Sequence, residues 1–591
     1  MRSGKKFTIG FLPTLLCLVA MLVSACGSST TPGTTSGKPT AAPKSQQTYR
    51  IGLLGSDIAT FDPGVATDSQ SITALDLVFT GLVQLNDQLQ VEPQLASSYD
   101  ISADGLTYTF HLRPNLHFSD GTALTATDVA YSIDRALSPA ISSLNGVTQV
   151  YLGLIKDSSK RLKGTISTLI GDSLNVIDPN TISITVSTKT AYFLEALTYP
   201  TAYVVEKSVI DKWGTKWTDH LSDNGGDGGD GPFKVLSYSH TTGIDYVPNT
   251  YYYGTPQTLQ AVDLVFYKTT DSMYEAYQAN QIDNTAIPSA DDQAAEAKTK
   301  EFHKDPQLAI FYLTMNFLAK PFDNIDIRQA FSLAVNKDVI AKNIYNNLVT
   351  PTCHIVPQGM PGYDASLTCP GGAPTKGDPT KAQSLFSQGL AAEGLTAATF
   401  PSVTLTYPSG DPDLANAITT IVGMWKSVLG VTINTHVEDF NQLLTDVNAT
   451  VCNSKSGNFT TAEVQSCVGK GLQMWYLGWI ADYPDPQDWT TLQFDKGAPN
   501  NAWNYGQNFS SDATAQQAVQ TKLEQADSDQ GSDRLSLYNQ AEQQLTNDVA
   551  WLPLYQSDAV GLIKSYVYGE VPNAQGLTPP NDWANIYIAT H

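Results

Sequence analysis

DLANAITTIVGMWKSVLGVTINTHVED (413–439) decides the fold class. Ile418, Ile421, Val422, Trp425, Val428 and Leu429 recur at helical spacing, which predicts an amphipathic helix over 413–430. Gly430 stands where a C-cap glycine belongs. VTINTHVED (431–439) then alternates as a strand, so the stretch is one α/β unit. The same mixture extends outward. DPTKAQSLFSQGL (378–390) starts on Asp378 as an N-cap and continues as a helix. DRLSLYNQAEQQLTNDV (533–549) is a second amphipathic helix. YRIGLL at 49–54 and TISITV at 181–186 read as strands. LTYTFHLRPNLHF (106–118) reads as a strand pair around a Pro-Asn turn. The chain is therefore expected to be a mixed α/β protein. Its 591 residues allow several domains.

Charge narrows the function. Against 34 Lys and Arg stand 57 Asp and Glu, a net charge of −23. Nucleic-acid binding needs a basic footprint, which is missing. An electrostatic grip on anionic lipid is disfavoured for the same reason. An acidic surface keeps the chain soluble and attracts cationic solutes. The 28 Tyr and 9 Trp are suited to a surface that binds something while staying wet, although most must simply fill core.

The N-terminus reads as a leader. Arg2, Lys5 and Lys6 precede an apolar segment from Phe7 to about Val23. Small residues follow in Leu22-Val23-Ser24-Ala25-Cys26. That order is a signal peptide over 1–25 with a lipoprotein cleavage site, and Cys26 is the expected acylated first residue of the mature chain. A membrane span is the rival, but Pro13 interrupts a run already at the lower length limit. Residues 27–48 are nearly all Ser, Thr, Gly, Pro and Ala, so 26–48 is expected to be the anchor and a disordered tether. The expected location is the outer face of the cytoplasmic membrane. There the remaining cysteines can oxidise. Near pairs suggest disulfides Cys353–Cys369 and Cys452–Cys467, although four cysteines allow three connectivities. Zinc is disfavoured because the Cys-x-x-Cys spacing is missing.

Motifs of catalysis are not found. The chain has no His-Glu-x-x-His helix and no Gly-x-Ser-x-Gly elbow. DNGGDGGDGPF (223–233) lacks the Gly-Lys-Ser/Thr of a phosphate loop, and its aspartates would repel phosphate. A calcium loop from Asp223, Asp227 and Asp230 lacks the downstream Glu. No catalytic residue, metal or cofactor is expected, and the chain is read as a non-enzyme.

Longer stretches carry a resemblance. FDPGVATDS (61–69), the run from VFTGLVQLND to YSIDRAL (78–137) and GDGPFKV (229–235) occur in order. LTMNFLAKPFDNIDIRQAFSLAVNKDVI (313–340), GWIADYPDP (478–486) and LYNQAEQQLTNDVAWLPLY (537–555) follow. Together they resemble the family 5 extracytoplasmic solute-binding proteins of ABC importers, the oligopeptide and dipeptide binders. The resemblance implies a two-lobed periplasmic-binding-protein fold, type II-like, with mixed sheets, a hinge and an extra inserted domain. Lobe I would comprise 49–85, 229–307 and 550–591, the inserted domain 86–228, and lobe II 308–549.

The resemblance also implies a site. Asp482 would take the free α-amine of a peptide. Gly478, Trp479 and Ile480 would pair with its backbone, with Trp479 walling a side-chain pocket. Tyr483 completes the segment. Thr67, Asp68 and Ser69 would approach from the other lobe. Tyr476 stands six positions before Asp482, where some relatives carry an Arg for the peptide carboxylate. A neutral Tyr cannot replace that charge. The implied protein is a monomeric receptor handing peptide to a permease with separate ATPase subunits. Alternatives are the same fold serving a sugar, a nickel complex or an amine, a chaperone-like or sensory lipoprotein, or a cell-surface hydrolase.

Overall fold

The strand Phe302–Met315 shows how the chain is assembled. It belongs to an eleven-stranded mixed sheet in this computed structural model, which describes residues 38–591 except 146, 289–292, 294, 453–459, 499, 530 and 532. The leader reading and Cys26 lie outside the described residues. On one side the sheet continues through Leu552–Ile563, Asn284–Ala286, Thr48–Leu54, Ala261–Tyr267, Gly243–Pro248 and Phe233–Ser239. On the other it continues through Met474–Ile480, Thr404–Pro408 and Asn434–Glu438, and the eleventh strand, Thr350–Pro351, pairs with Leu552–Ile563 off this path. Two lobes thus share one sheet, and Phe302–Met315 with Leu552–Ile563 runs through both. Their pairing shifts register between Pro306 and Ile310, where one half of each strand gives way to the other.

Local sequence explains the elements. Pro412–Leu429 is an α-helix whose N-cap Asp411 accepts from the backbone N–H groups of Asp413 and Leu414 at 2.9 and 3.1 Å. Gly430 ends it in the left-handed region at φ 73°. Leu414, Ile418, Ile421, Trp425 and Leu429 form its buried stripe. Asn434–Glu438 then pairs in parallel with Thr404–Pro408, closing the expected α/β unit. Asp378 caps Pro379–Ala392 in the same manner.

Two expectations need correction. Thr107–Leu112 is a strand, but it pairs with Ala96–Ile101 and Thr181–Thr185 and not with 116–118. Beyond the Pro-Asn turn only an isolated bridge, His117 to Ala123, forms. Order also starts earlier than Tyr49. Ala41 bridges Ala589, and buried Gln47 donates from Nε2 to the carbonyls of Ala42 and Ile588, each at 2.8 Å. An amide can fasten a segment whose composition cannot build a core. Leu552, Leu554 and Tyr555 share a core with Trp425 and Met474.

An inserted unit has its own four-stranded antiparallel sheet, order Ala96–Ile101, Thr107–Leu112, Thr181–Thr185, Leu174–Asp178. Helix Ala126–Ala136 covers it with Val129, Ala130 and Ile133. The Gly-rich break is the return crossing from this unit. Asp230 is buried and accepts from the Thr80 N–H at 2.9 Å and the Thr80 hydroxyl at 2.6 Å. A Cβ on Gly229 would sit 2.4 Å from the Val78 carbonyl oxygen, and one on Gly231 2.6 Å from its carbonyl carbon. Those glycines let two crossings lie against each other. Cys353 pairs with Cys369, and Cys452 with Cys467.

Candidate functional site

The strand Met474–Ile480 is paired unequally. Along its whole length it is antiparallel to Ala309–Met315. On its other side the parallel ladder to Thr404–Pro408 joins only Met474 and Trp475. Among the described residues, Leu477–Ile480 therefore presents an open edge of N–H and C=O groups. That edge faces a cavity of ≈ 270 Å³. An exposed edge beside a cavity is a template for another extended chain.

Gly478, Trp479, Ile480 and Asp482 form one wall, while Thr67, Asp68 and Ser69 lie on the opposite one. Gly478 has a packing reason. A Cβ there would come within 2.5 Å of the Phe311 ring, which itself lines the cavity. Two expected residues are elsewhere. Tyr476 packs in the core of lobe II, where its hydroxyl meets that of Tyr555 at 2.8 Å. Tyr483 is 1 % exposed, packs against Tyr151 and Tyr192, and its hydroxyl donates to Gln487 Oε1. Neither lines the cavity.

Carboxylates dominate the polar chemistry. Asp482 is half-buried and accepts from the Tyr151 hydroxyl at Oδ2, a contact between the inserted unit and lobe II. Its backbone N–H donates to Asp488 Oδ2 at 3.0 Å. Asp488 is 0 % exposed, accepts weakly from Trp479 Nε1 at 3.4 Å, and leaves Oδ1 without a hydrogen bond. Burial pushes the Asp482 carboxyl up to about 7, with the Tyr151 hydrogen bond opposing. Asp488 is raised further, by burial and then by the charge of Asp482. On the opposite wall, Asp68 caps the helix Ser69–Leu75 through Oδ1 to the Ser71 N–H at 2.8 Å. Asp76 ends that helix and accepts from the Tyr203 hydroxyl at 2.7 Å. Burial raises Asp68 and pushes Asp76 up to about 7.

Several residues in or behind the cavity wall had no sequence signal. Tyr151 and Tyr199 stack with ring centroids 3.6 Å apart, and Tyr199 donates to the Ala66 carbonyl at 3.1 Å. The pair thus spans from Ala66 to Asp482. High tyrosine content pointed to such a surface without placing it. Asp76, Tyr203, Phe311 and Asp488 come together only through the tertiary fold.

These groups set a pH response. Burial pushes the carboxyls of Asp76, Asp230, Glu195, Asp482, Asp495, Asp527 and Glu570 up to about 7. Arg534 opposes the rise at Glu195 and Asp527, and Lys496 opposes it at Asp495. The folded state then holds protons that an unfolded chain releases near pH 4, so stability is present at low pH and lost as pH climbs to about 7. Urea unfolding of the ligand-free protein should show higher stability at pH 5 than at pH 7.5. The reverse order would contradict this reading.

Two α/β lobes joined through long shared strands, an inserted third unit and a cavity between walls define a two-lobed solute-binding protein. The chain belongs to the bacterial extracellular solute-binding proteins, family 5, whose family model (described as family 5 Middle) matches residues 90–501. It is 24% identical over 497 residues to the oligopeptide-binding protein OppA of Bacillus subtilis, covering 83% of this chain and 84% of that one. To the periplasmic oligopeptide-binding protein OppA of Escherichia coli it is 26% identical over 555 residues, covering 91% and 92%. Among solved structures, the E. coli murein tripeptide binding protein MppA superposes with TM-score 0.76 at 22% identity, over 93% of this chain and 100% of that one. Listeria monocytogenes OppA bound to peptide gives 0.73 at 22%, over 92% and 99%.

Proposed function

We propose that this chain is a lipid-anchored, extracytoplasmic receptor that captures a peptide between its lobes and delivers it to the permease of an ABC importer. One observation carries the reading: an open strand edge at Leu477–Ile480 runs directly into a half-buried carboxylate, Asp482, whose only side-chain partner among the described residues is a tyrosine hydroxyl. The edge can bond a peptide backbone whatever its side chains, which suits broad specificity. Asp482 then supplies the counter-charge that a buried terminal ammonium requires. The relatives named for oligopeptide and tripeptide binding support the same ligand class. The receptor performs no chemistry. Closure follows from tighter binding in the closed arrangement, and ATP hydrolysis belongs to separate subunits.

Cys26 would carry the lipid and the residues after it the tether, so that the folded unit 41–591 can reach a permease. Native mass spectrometry of the protein extracted from membranes of the producing cells tests both parts. The expected mass is a chain beginning at acylated Cys26, holding uncleaved peptides that denaturation releases. An unacylated chain would remove the anchor. Release of cleaved products, or of a sugar or metal complex in place of peptides, would remove the peptide receptor.

A further inference from the structure

The charge balance of the cavity says more about its ligand. Three carboxylates line it: Asp68, Asp76 and Asp482. None of its described lining residues is Lys, Arg or His. Asp482 has an occupant in the peptide-receptor reading, on which this inference rests. Asp68 and Asp76 do not.

Asp68 is built as half of an ion pair. It is 7 % exposed, its Oδ1 is used by the Ser71 N–H, and its Oδ2 accepts no hydrogen bond. A buried acceptor left unmatched at the wall of a cavity costs free energy until a donor arrives from the ligand. Asp76 adds to the field. It stands at the carbonyl end of Ser69–Leu75, where the helix favours cations and not another anion. Tyr199 lines the cavity within electrostatic reach of both Asp68 and Asp482.

We propose that the cavity selects peptides carrying a second positive charge. Asp482 takes the terminal amine and Asp68 a basic side chain. The cavity offers no cationic partner for a free carboxylate, so the peptide C-terminus is bound uncharged or lies outside.

Calorimetry on the full mature chain in detergent decides this, with tripeptide amides as probes. Tri-alanine amide is compared with peptides carrying lysine at each position in turn. At least one lysine peptide is expected to bind roughly tenfold or more tightly than tri-alanine amide, as a buried charge pair of ordinary strength requires. In an Asp68→Asn variant that gap, measured against tri-alanine amide on the same variant, should close. Asn keeps the helix cap, because its side-chain oxygen still accepts the Ser71 N–H. The free acid of the best lysine peptide should bind more weakly than its amide. Equal affinity of all lysine peptides and tri-alanine amide would overturn the proposal, and so would a gap that survives Asp68→Asn. The wild-type comparison stands even if the variant does not fold. Should none of the peptides bind, the receptor reading itself falls and takes this inference with it. N-acetylation of the best lysine peptide is expected to weaken it; if it has no effect, the role of Asp482 falls and that of Asp68 does not.

Discussion

Asp482→Asn is expected to weaken binding of a free-amine peptide by about 2–5 kcal/mol, roughly thirtyfold to several thousandfold. The substitution keeps the shape and the acceptor for the Tyr151 hydroxyl. It removes the charge that an ammonium needs in a water-poor cleft. The ligand-free protein should not lose stability in return. Asp482 and Asp488 are neighbours that raise each other's cost of ionisation, so neutralising one relieves the other. Weaker binding together with unchanged or raised stability at pH 7.5 is the signature of a ligand-binding carboxylate. A purely structural aspartate would lose stability on the same substitution. Calorimetry with one peptide, paired with urea unfolding, reads both quantities. Undiminished affinity would end the amine-anchor assignment.

Arg534→Met should destabilise the fold by about 3–5 kcal/mol, the usual cost of leaving half of a buried ion pair behind. The guanidinium donates from Nη1 and Nη2 to the two oxygens of Asp485 at 2.8 and 2.7 Å, and each side chain is 9% exposed. It also lies over the rings of Tyr192 and Tyr538. Its charge is felt by Glu195 of the inserted unit and by Asp527. Methionine fills the stem and leaves three carboxyls without that cation. The loss should shrink at pH 5, where Glu195 and Asp527 hold protons. Replacing Arg534 and Asp485 together with apolar residues should recover most of it. A single-variant loss below about 1 kcal/mol, the range of an exposed pair, would show that the pair is not buried in solution.

Much of the fold is legible in the chain itself because it depends on periods and caps. The helix over 412–429 follows from a 3.6-residue apolar repeat, an Asp at its start and Gly430 at its end. The strand after it follows from alternation. Thr67, Asp68, Ser69, Gly478, Trp479, Ile480 and Asp482 were named in advance, and the fold brings all seven to one cavity. Where the reading went astray, a short-range pattern was asked about a long-range partner. Leu106–Phe118 alternates well, yet alternation cannot say that Thr107–Leu112 pairs with Thr181–Thr185. Tyr476 stands an even six positions before Asp482, which strand alternation assigns to the same face, yet it packs against Tyr555 in the core.

The sequence alone determined the class of protein, the leader and tether expectations, and the segments that would meet at the cleft. The leader and tether follow from composition and spacing, whereas the class and the cleft segments follow from a resemblance of whole stretches, in order, to a known family. Only the tertiary structure decided what kind of cleft they make. Burial turns Asp68, Asp76, Asp482 and Asp488 from four among 57 acidic residues into carboxyls held away from water. Only the assembled walls show that no cation among the described residues answers the three that face the ligand. Desolvation and charge pairing depend on what lies across the cavity, and that distance is not written in sequence order.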